Sequence, residues 1–404
     1  MATGQRGTIA LLNRKQVVLL TARGAPDRRF GHDGILAVPV RAAGWSFHAA
    51  SVAIDSRGRV LLFGWVVPLR NRTIAVGPYL ERVAISRAAV LRLLPDGQLD
   101  AGFGQGGAVV SDFGVRAEAL EERIEPTTAI AGGTVDSLDR PLFSVGAAEW
   151  ESPCAGHSYI GWLPKTIVRL TSSGEPDAEF GQGNGVGPIF PKFSGTPFVS
   201  LGLTADDQPL MGGTLGGGCP EGASVIRLSE AGAPLPGYGS DGRKDFRNLR
   251  FLAFTPGGGA ILERQRFGTE IVRRLTPQGE PDPIFGGDGT ITLKRTPGGS
   301  YSLTAAADSK GRTLIISSFT LPSAGLQAKR AFIIVERLTP SGRRDSSFGR
   351  RGRIVVPVPG ARNVGSLQVS LDQAGRLLVL SELARADENE TLTGAAVLTR
   401  FLLD

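Results

Sequence analysis

The chain has 404 residues, 41% of them hydrophobic, with 56 Gly, 26 Pro, two Cys and a formal net charge of +7. That length exceeds what one hydrophobic core fills, about 250–300 residues, so the choice lies between several domains and a repeat array whose units bury their faces on one another. The apolar content excludes a disordered chain, no run of 18 apolar residues is present to cross a membrane as a helix, and the basic residues, mostly Arg, read as scattered rather than gathered into the stripe that nucleic acid requires.

Residues 1–16 read as an N-terminal segment outside the fold. Arg14 and Lys15, the short apolar run Val17–Leu20, and then Ala22 and Gly24 resemble the remnant of an export signal, with an ordinary cytosolic start as the alternative. From residue 17 to 404 the chain reads as one domain. A strand–turn unit recurs as VVLLTARGAPDRRFGHDG (17–34), VLRLLPDGQLDAGFGQGG (90–107), IVRLTSSGEPDAEFGQGNG (167–185), VIRLSEAGAPLPGYGSDG (225–242), VRRLTPQGEPDPIFGGDG (272–289) and VERLTPSGRRDSSFGRRG (335–352). Each copy has a first turn glycine: Gly24, Gly97, Gly174, Gly232, Gly279 and Gly342. Three residues on stand Asp27, Asp100, Asp177, Leu235, Asp282 and Asp345. Six on stand the aromatics Phe30, Phe103, Phe180, Tyr238, Phe285 and Phe348, each followed by Gly.

A second motif lies between these copies: AIDSRGRVLLFG (53–64), TVDSLDRPLFSVG (134–146), AADSKGRTLIIS (306–317) and SLDQAGRLLVLS (370–381), with weaker versions at 203–213 and 254–264. Asp followed three residues later by Gly suits a type I turn between two apolar runs, which reads as a hairpin. Each unit therefore holds four strands, A and B around the Asp turn, C at the VxRL run and D after the FGxxG turn. Tandem four-stranded antiparallel units are propeller blades. The expected fold is all-β, a β-propeller of six blades. The segment near Ile35–Val40 completes the blade begun by residues 366–401, so that N- and C-terminal strands close one blade. Seven blades is the alternative, because residues 16–21 form a C-type strand left over from that count.

The RL-x-x-x-G-x-x-D-x-x-F-G run and the D-x-x-G-R turn resemble the delta-60 repeat family, a bacterial β-propeller family of unknown function, from about residue 17 to the end. The resemblance implies the architecture and an association with exported proteins, and no activity. The copy at 225–242 departs from the motif at Leu235 and Tyr238.

The turn Asp is read as structural, accepting local backbone N–H groups. Arg92, Arg169, Arg227, Arg274, Arg337 and Arg400 share one C-strand position. A buried Arg needs a partner, and the turn Asp is the natural one; an anion-binding ring is the other use. Variation in unit length falls in the B–C and D–A connections, and the longest insertions belong to the first two units of this count. These also hold Trp45, Trp65, Trp150, Trp162, Tyr79 and Tyr159, which are expected to form an aromatic surface for a glycan or a protein. Cys154 and Cys219 fall in equivalent loops of adjacent units and are expected to form a disulfide, hence an extracytoplasmic protein. No cofactor, metal site or catalytic residue is expected. The function expected is a non-catalytic, exported binding or surface module, monomeric, with an unknown protein or glycan partner, no nucleic acid and no membrane span. The alternatives are a lactonase-type propeller hydrolase with a channel metal, for which Glu121, Glu122, Glu125, Glu149 and Glu151 are the carboxylates, and an intracellular scaffold. His157, beside Cys154, is the one notable histidine.

Overall fold

The computed structural model describes residues 1–13, 16–38, 40–42, 44–69, 73–76, 81–115, 127–151, 159–190, 199–215, 222–266, 269–294, 300–321, 330–358, 363–386 and 392–403. It is all-β, with no helix among these residues and hence none long and apolar enough to cross a membrane. Two compact units divide the chain, Met1–Asn248 and Leu249–Asp404.

The first unit carries four blades. Blade 1 runs β1 (Ala2–Thr3), β2 (Ile9–Leu12), β3 (Gln16–Leu20) and β4 (Ile35–Ala37), paired in that order. Blade 2 comprises β5 (Val40–Ala42), β6 (Trp45–Ile54), β7 (Val60–Pro68), β10 (Arg87–Leu93) and β11 (Ala108–Ser111); β8 (Thr73–Val76) and β9 (Glu81–Ala84) form a separate ribbon between β7 and β10. Blade 3 is β12 (Thr128–Val135), β13 (Pro141–Glu151) and β14 (Tyr159–Arg169). Blade 4 is β15 (Val199–Leu203), β16 (Pro209–Leu215), β17 (Gly222–Arg227) and β18 (Arg243–Arg247). The second unit carries three: β19 (Arg250–Phe254), β20 (Ala260–Arg266), β21 (Thr269–Arg274) and β22 (Thr290–Lys294); β23 (Ser300–Ala307), β24 (Thr313–Leu321), β25 (Arg330–Leu338) and β26 (Arg353–Val358); and β27 (Asn363–Leu371), β28 (Leu377–Ala386) and β29 (Leu392–Phe401).

Among the described residues there are thus seven blade sheets, the alternative count, rather than six. The additional one is at the N-terminus. Residues 2–12 supply the A and B strands that the sequence reading lacked, with Ile9 opposite Leu20 and Leu12 opposite Val17. Their turn, Gly4–Gly7, is closed by Gly7 N–H donating to the Gly4 carbonyl at 2.9 Å and has no Asp, which is why the D-x-x-G-R pattern did not reveal it. The segment assigned to closing a shared blade instead pairs at home, Val17 opposite Leu36 on the blade's own C strand.

Between neighbouring blades the sheets bury apolar faces. Phe30, Leu19, Phe47, Leu62 and Leu91 fill the seam of blades 1 and 2; Phe63, Phe103, Phe143 and Val168 that of blades 2 and 3. In the second unit Phe285, Ile261 and Ile315 fill one seam, and Phe348, Leu377 and Val379 the next. Strand alternation accounts for this, since successive residues of a strand serve opposite seams.

Four seams are also stapled at one end by the repeat motif. The FG glycine of one blade donates its N–H to a carbonyl in the next blade's C–D turn: Gly31 to Asp96, Gly104 to Ser173 and Gly181 to Ala231 at 2.8 Å, and Gly286 to Ser341 at 3.0 Å. The receiving turn carries its glycine at positive φ (Gly174 +95°, Gly232 +80°). A Cβ on Gly232 would stand 2.7 Å from the Phe180 ring. Glycine is required there both for its backbone and for its missing side chain.

Candidate functional site

The repeated polar residues form clasps. In blade 3 the Arg169 Nε donates to Asp177 Oδ2 at 2.7 Å and Nη1 to the Glu230 carbonyl of blade 4 at 2.7 Å, while the guanidinium lies 4.7 Å from the Phe180 ring centre. Arg92 repeats this with Asp100 (2.8 Å), the Ser172 carbonyl and Phe103 (4.4 Å). Arg274 repeats it with Asp282 (2.7 Å), the Pro340 carbonyl (2.6 Å) and Phe285 (4.7 Å). Arg337 pairs with Asp345 at 2.9 Å and donates to the Leu403 carbonyl. The A–B turn joins in: Arg59 binds Asp55 at 2.5 Å and reaches Asp100 at 3.5 Å, and Arg140 binds Asp136 at 2.6 Å and reaches Asp177 at 3.4 Å.

Electrostatics follow from these contacts. Burial pushes the Asp100 carboxyl up, but the Gly102 N–H and the Arg92 and Arg59 guanidiniums outweigh it and hold it below the usual range. Asp345 is held down first by the Ser347 hydroxyl, then by the Ser347 N–H and Arg337. Burial, with the like charge of Arg59, lowers Arg92. Asp27 has Leu19 rather than Arg on its C strand and takes Arg29 instead, at 2.7 Å, which lowers it. In blade 4, where Leu235 replaces Asp, Arg227 Nη2 donates to Gln208 Oε1 at 2.9 Å. Arg92, Arg169, Arg274 and Arg337 therefore join neighbouring blades, a structural use.

The aromatic residues are distributed otherwise than the sequence suggested. Register puts Trp45 opposite Pro68 and Phe47 opposite Val66, but His48 opposite Trp65. Trp45 and Trp65 thus lie on opposite faces of blade 2 and form no common patch. Trp65 stacks on His48, ring centres 5.7 Å apart and 10° from parallel, and burial lowers the His48 imidazole below its usual value. Trp150, Tyr159 and Trp162 belong to strands, not loops: β13 and β14 continue to Glu151 opposite Tyr159, with Trp150 opposite Ile160 and Ala148 opposite Trp162, so positions 150 and 162 share one face of a long hairpin. Their side chains, those of Glu149 and Glu151, and Tyr79, Glu121, Glu122, Glu125, Cys154, His157 and Cys219 lie outside the described residues.

One concave site involves Trp45. A groove of about 570 Å³ runs along β11 and the C–D turns of blades 2 and 3. Trp45, Phe47, Val66, Val110 and Phe113 give it apolar walls, and Arg87, Gln105, Ser111 and Glu175 are its polar groups. Val110 is 44% exposed, an apolar side chain of the outermost strand left open to solvent. Sequence reading found Trp45 and missed the rest, because Phe47 and Val110 look like any other strand residue. Among the described residues no group of three or more His, Cys, Asp or Glu is placed to hold a metal ion.

Comparison with known proteins gives a family match at residues 72–103, to the model described as "Domain of unknown function (DUF5122) beta-propeller". No curated protein matches. Among solved structures, an endo-arabinase from Bacteroides thetaiotaomicron VPI-5482 is 11% identical, TM-score 0.31, over 67% of this chain and 93% of that one. Prolyl oligopeptidase B from Galerina marginata is 8% identical, TM-score 0.42, over 98% of this chain and 50% of its own. A polysaccharide lyase described as PL25-Ulvanlyase is 10% identical, TM-score 0.30, over 98% and 81%. The matched segment spans β10 and the P-D-G-x-x-D-x-x-F turn of blade 2 and is a small part of the chain.

Proposed function

We propose that the protein is a non-catalytic binding module, exported from the cell, that takes a glycan in the groove beside β11. The observation that carries this is the composition of that groove: an indole and two phenyl rings beside Arg87, Gln105 and Glu175, in about 570 Å³. Ligand sites are commonly of this size, with apolar walls and few convergent polar groups. A sugar offers an apolar C–H face to an indole and hydroxyls to amide, carboxylate and guanidinium groups. The exported location and the kinship with delta-60 repeat proteins are part of the same proposal.

The test is capture of the purified chain on an array of neutral and charged oligosaccharides, with W45A and V110S alongside wild type. Both substitutions are expected to abolish capture with the melting temperature of V110S unchanged. Capture that survives both substitutions refutes the groove.

A further inference from the structure

Blade 6 differs from the others at its C–D turn. That turn reads SGRRDSSFGRRGR, with Arg343, Arg344, Arg350, Arg351 and Arg353 within eleven residues, where blade 2 has Gln98, Leu99, Gln105, Gly106 and Ala108 and where, at the matching positions, blade 4 has only Arg243. Arg343, Arg344, Arg350 and Arg351 are exposed. The two acids close by are already engaged: Asp345 pairs with Arg337 at 2.9 Å and Glu336 with Arg344 at 2.7 Å. Among the described residues no carboxylate forms an ion pair with Arg343, Arg350, Arg351 or Arg353. Lys310, in the adjoining A–B turn, is exposed as well; its neighbour Gly311 lies against Pro340 of the arginine-rich turn.

Two further features set the turn apart. Arg351 sits at φ +54°, a position that blades 1 and 4 fill with Asp and blade 2 with Gly. Arginine gains nothing locally in that conformation, unlike Asp, whose short side chain bonds nearby backbone. The turn also opens at its base onto a cavity of about 50 Å³, where Arg344, Arg353 and Lys294 meet Ser317 and the two carboxylates Glu270 and Glu336. The Arg353 Nε is buried there with no hydrogen-bond partner. A buried donor left without an acceptor is costly, and an oxyanion at the cavity mouth would supply one.

We infer that this turn is a docking surface for an anionic polysaccharide, one sulfate or carboxylate of which is anchored at Arg353 while Arg343, Arg350 and Arg351 take successive charges along the chain. Guanidinium forks match both oxyanions. Nucleic acid fits less well. The arginines sit on a single turn rather than along a stripe, and its one aromatic, Phe348, is 2% exposed, so no ring is offered to stack a base. A membrane fits less well because the turn presents no apolar wedge.

The experiment measures binding of the full chain to heparin, sulfated, and to polygalacturonate, carboxylated, at low and high salt. The variants are R343A/R350A/R351A and, as a charge-matched control in blade 1, R6A/R23A/R28A. Loss of about tenfold or more in the blade 6 triple, and less than about twofold in the control, is the result expected from removing three exposed contacts. The preferred polymer distinguishes sulfate from carboxylate. An R353M variant of unchanged melting temperature is expected to weaken binding as well; unchanged binding there overturns the anchoring. Equal losses in both triples, no binding to either polymer, or tighter binding to duplex DNA or to phosphatidylserine vesicles overturns the inference.

Discussion

Replacing Arg169 by Ala tests whether the clasps hold the blades together. Arg169 is 2% exposed and Asp177 5%. The substitution strips Asp177 of its 2.7 Å partner, leaves the Glu230 carbonyl without its donor and removes the cation from the Phe180 face. Breaking a buried ion pair from one side costs about 3–5 kcal/mol, because the remaining charge stays buried. Melting entropies of about 2.1 cal/mol/K per residue give about 0.85 kcal/mol/K for 404 residues, so the melting temperature should fall by about 4–6 °C. Scanning calorimetry reads this directly. The R169A/D177N double variant should recover part of the loss, since the stranded carboxylate is gone; Arg140, 3.4 Å from Asp177, keeps Asp136. An R169A protein melting within about 1 °C of wild type would refute the clasp as a source of stability.

Gly232→Ala should destabilise more than Gly24→Ala: both sit at positive φ, +80° and +83°, but the new Cβ would meet Phe180 at 2.7 Å in the first and nothing within 4 Å in the second. The backbone term alone is about 1–2 kcal/mol, so G24A should show only that in urea melts, and equal losses would discount the close approach. Asp100 and Asp345 are held below their unfolded values, so the stability they contribute is fully present above the ordinary carboxylate range and is lost as pH falls through their depressed values. Melting temperature should therefore be flat from neutrality to about pH 5 and drop below about pH 4, and S347A should raise the Asp345 titration seen by carboxyl NMR; an unmoved titration contradicts the assignment of cause. Leu235→Asp restores a turn carboxylate for Arg227 in blade 4 and should stabilise by about 1 kcal/mol, read as a shift in urea midpoint; a destabilised variant would show that Leu235 contributes more by packing.

The blade was legible in the sequence because its turns are demanding. Positive φ at the first turn glycine, a ring that must pass over that glycine, and a carboxylate for a buried Arg leave few residue types free, so Gly97, Phe103 and Asp100 recur as Gly174, Phe180 and Asp177. The A–B hairpin of blade 1, which has no such side-chain signals, was missed. Gly4–Gly7 closes its hairpin with backbone alone, and no side-chain pattern marks it. Strand length was equally hidden. Trp150 and Tyr159 lie in the outer part of β13 and β14, a hairpin extension that read as a loop. The groove was half visible: a Trp stands out, but Val110 looks the same in sequence whether its strand is covered or open.

Blade 4 shows that the repeat constrains charges together rather than residues one by one. Blades 2 and 3 hold two arginines and two aspartates in each clasp: Arg59, Arg92, Asp55 and Asp100, then Arg140, Arg169, Asp136 and Asp177. In blade 4 Thr204 stands for the first Asp, Gln208 for the A–B Arg and Leu235 for the second Asp, and the remaining Arg227 binds Gln208. Both carboxylates and one cation are gone together. Losing the carboxylates alone would have left two guanidiniums facing each other in a buried site, and burial together with the like charge of Arg59 already depresses Arg92. The departure at Leu235 therefore cannot be read as decay of a single motif position. It is one of three coupled changes that keep the clasp's geometry, with Leu235 N–H still donating to the Arg227 carbonyl at 3.0 Å, as Asp177 N–H does to the Arg169 carbonyl at 3.2 Å. The same reasoning singles out blade 6, where Arg337 keeps Asp345 but Arg343, Arg350, Arg351 and Arg353 form no ion pair among the described residues.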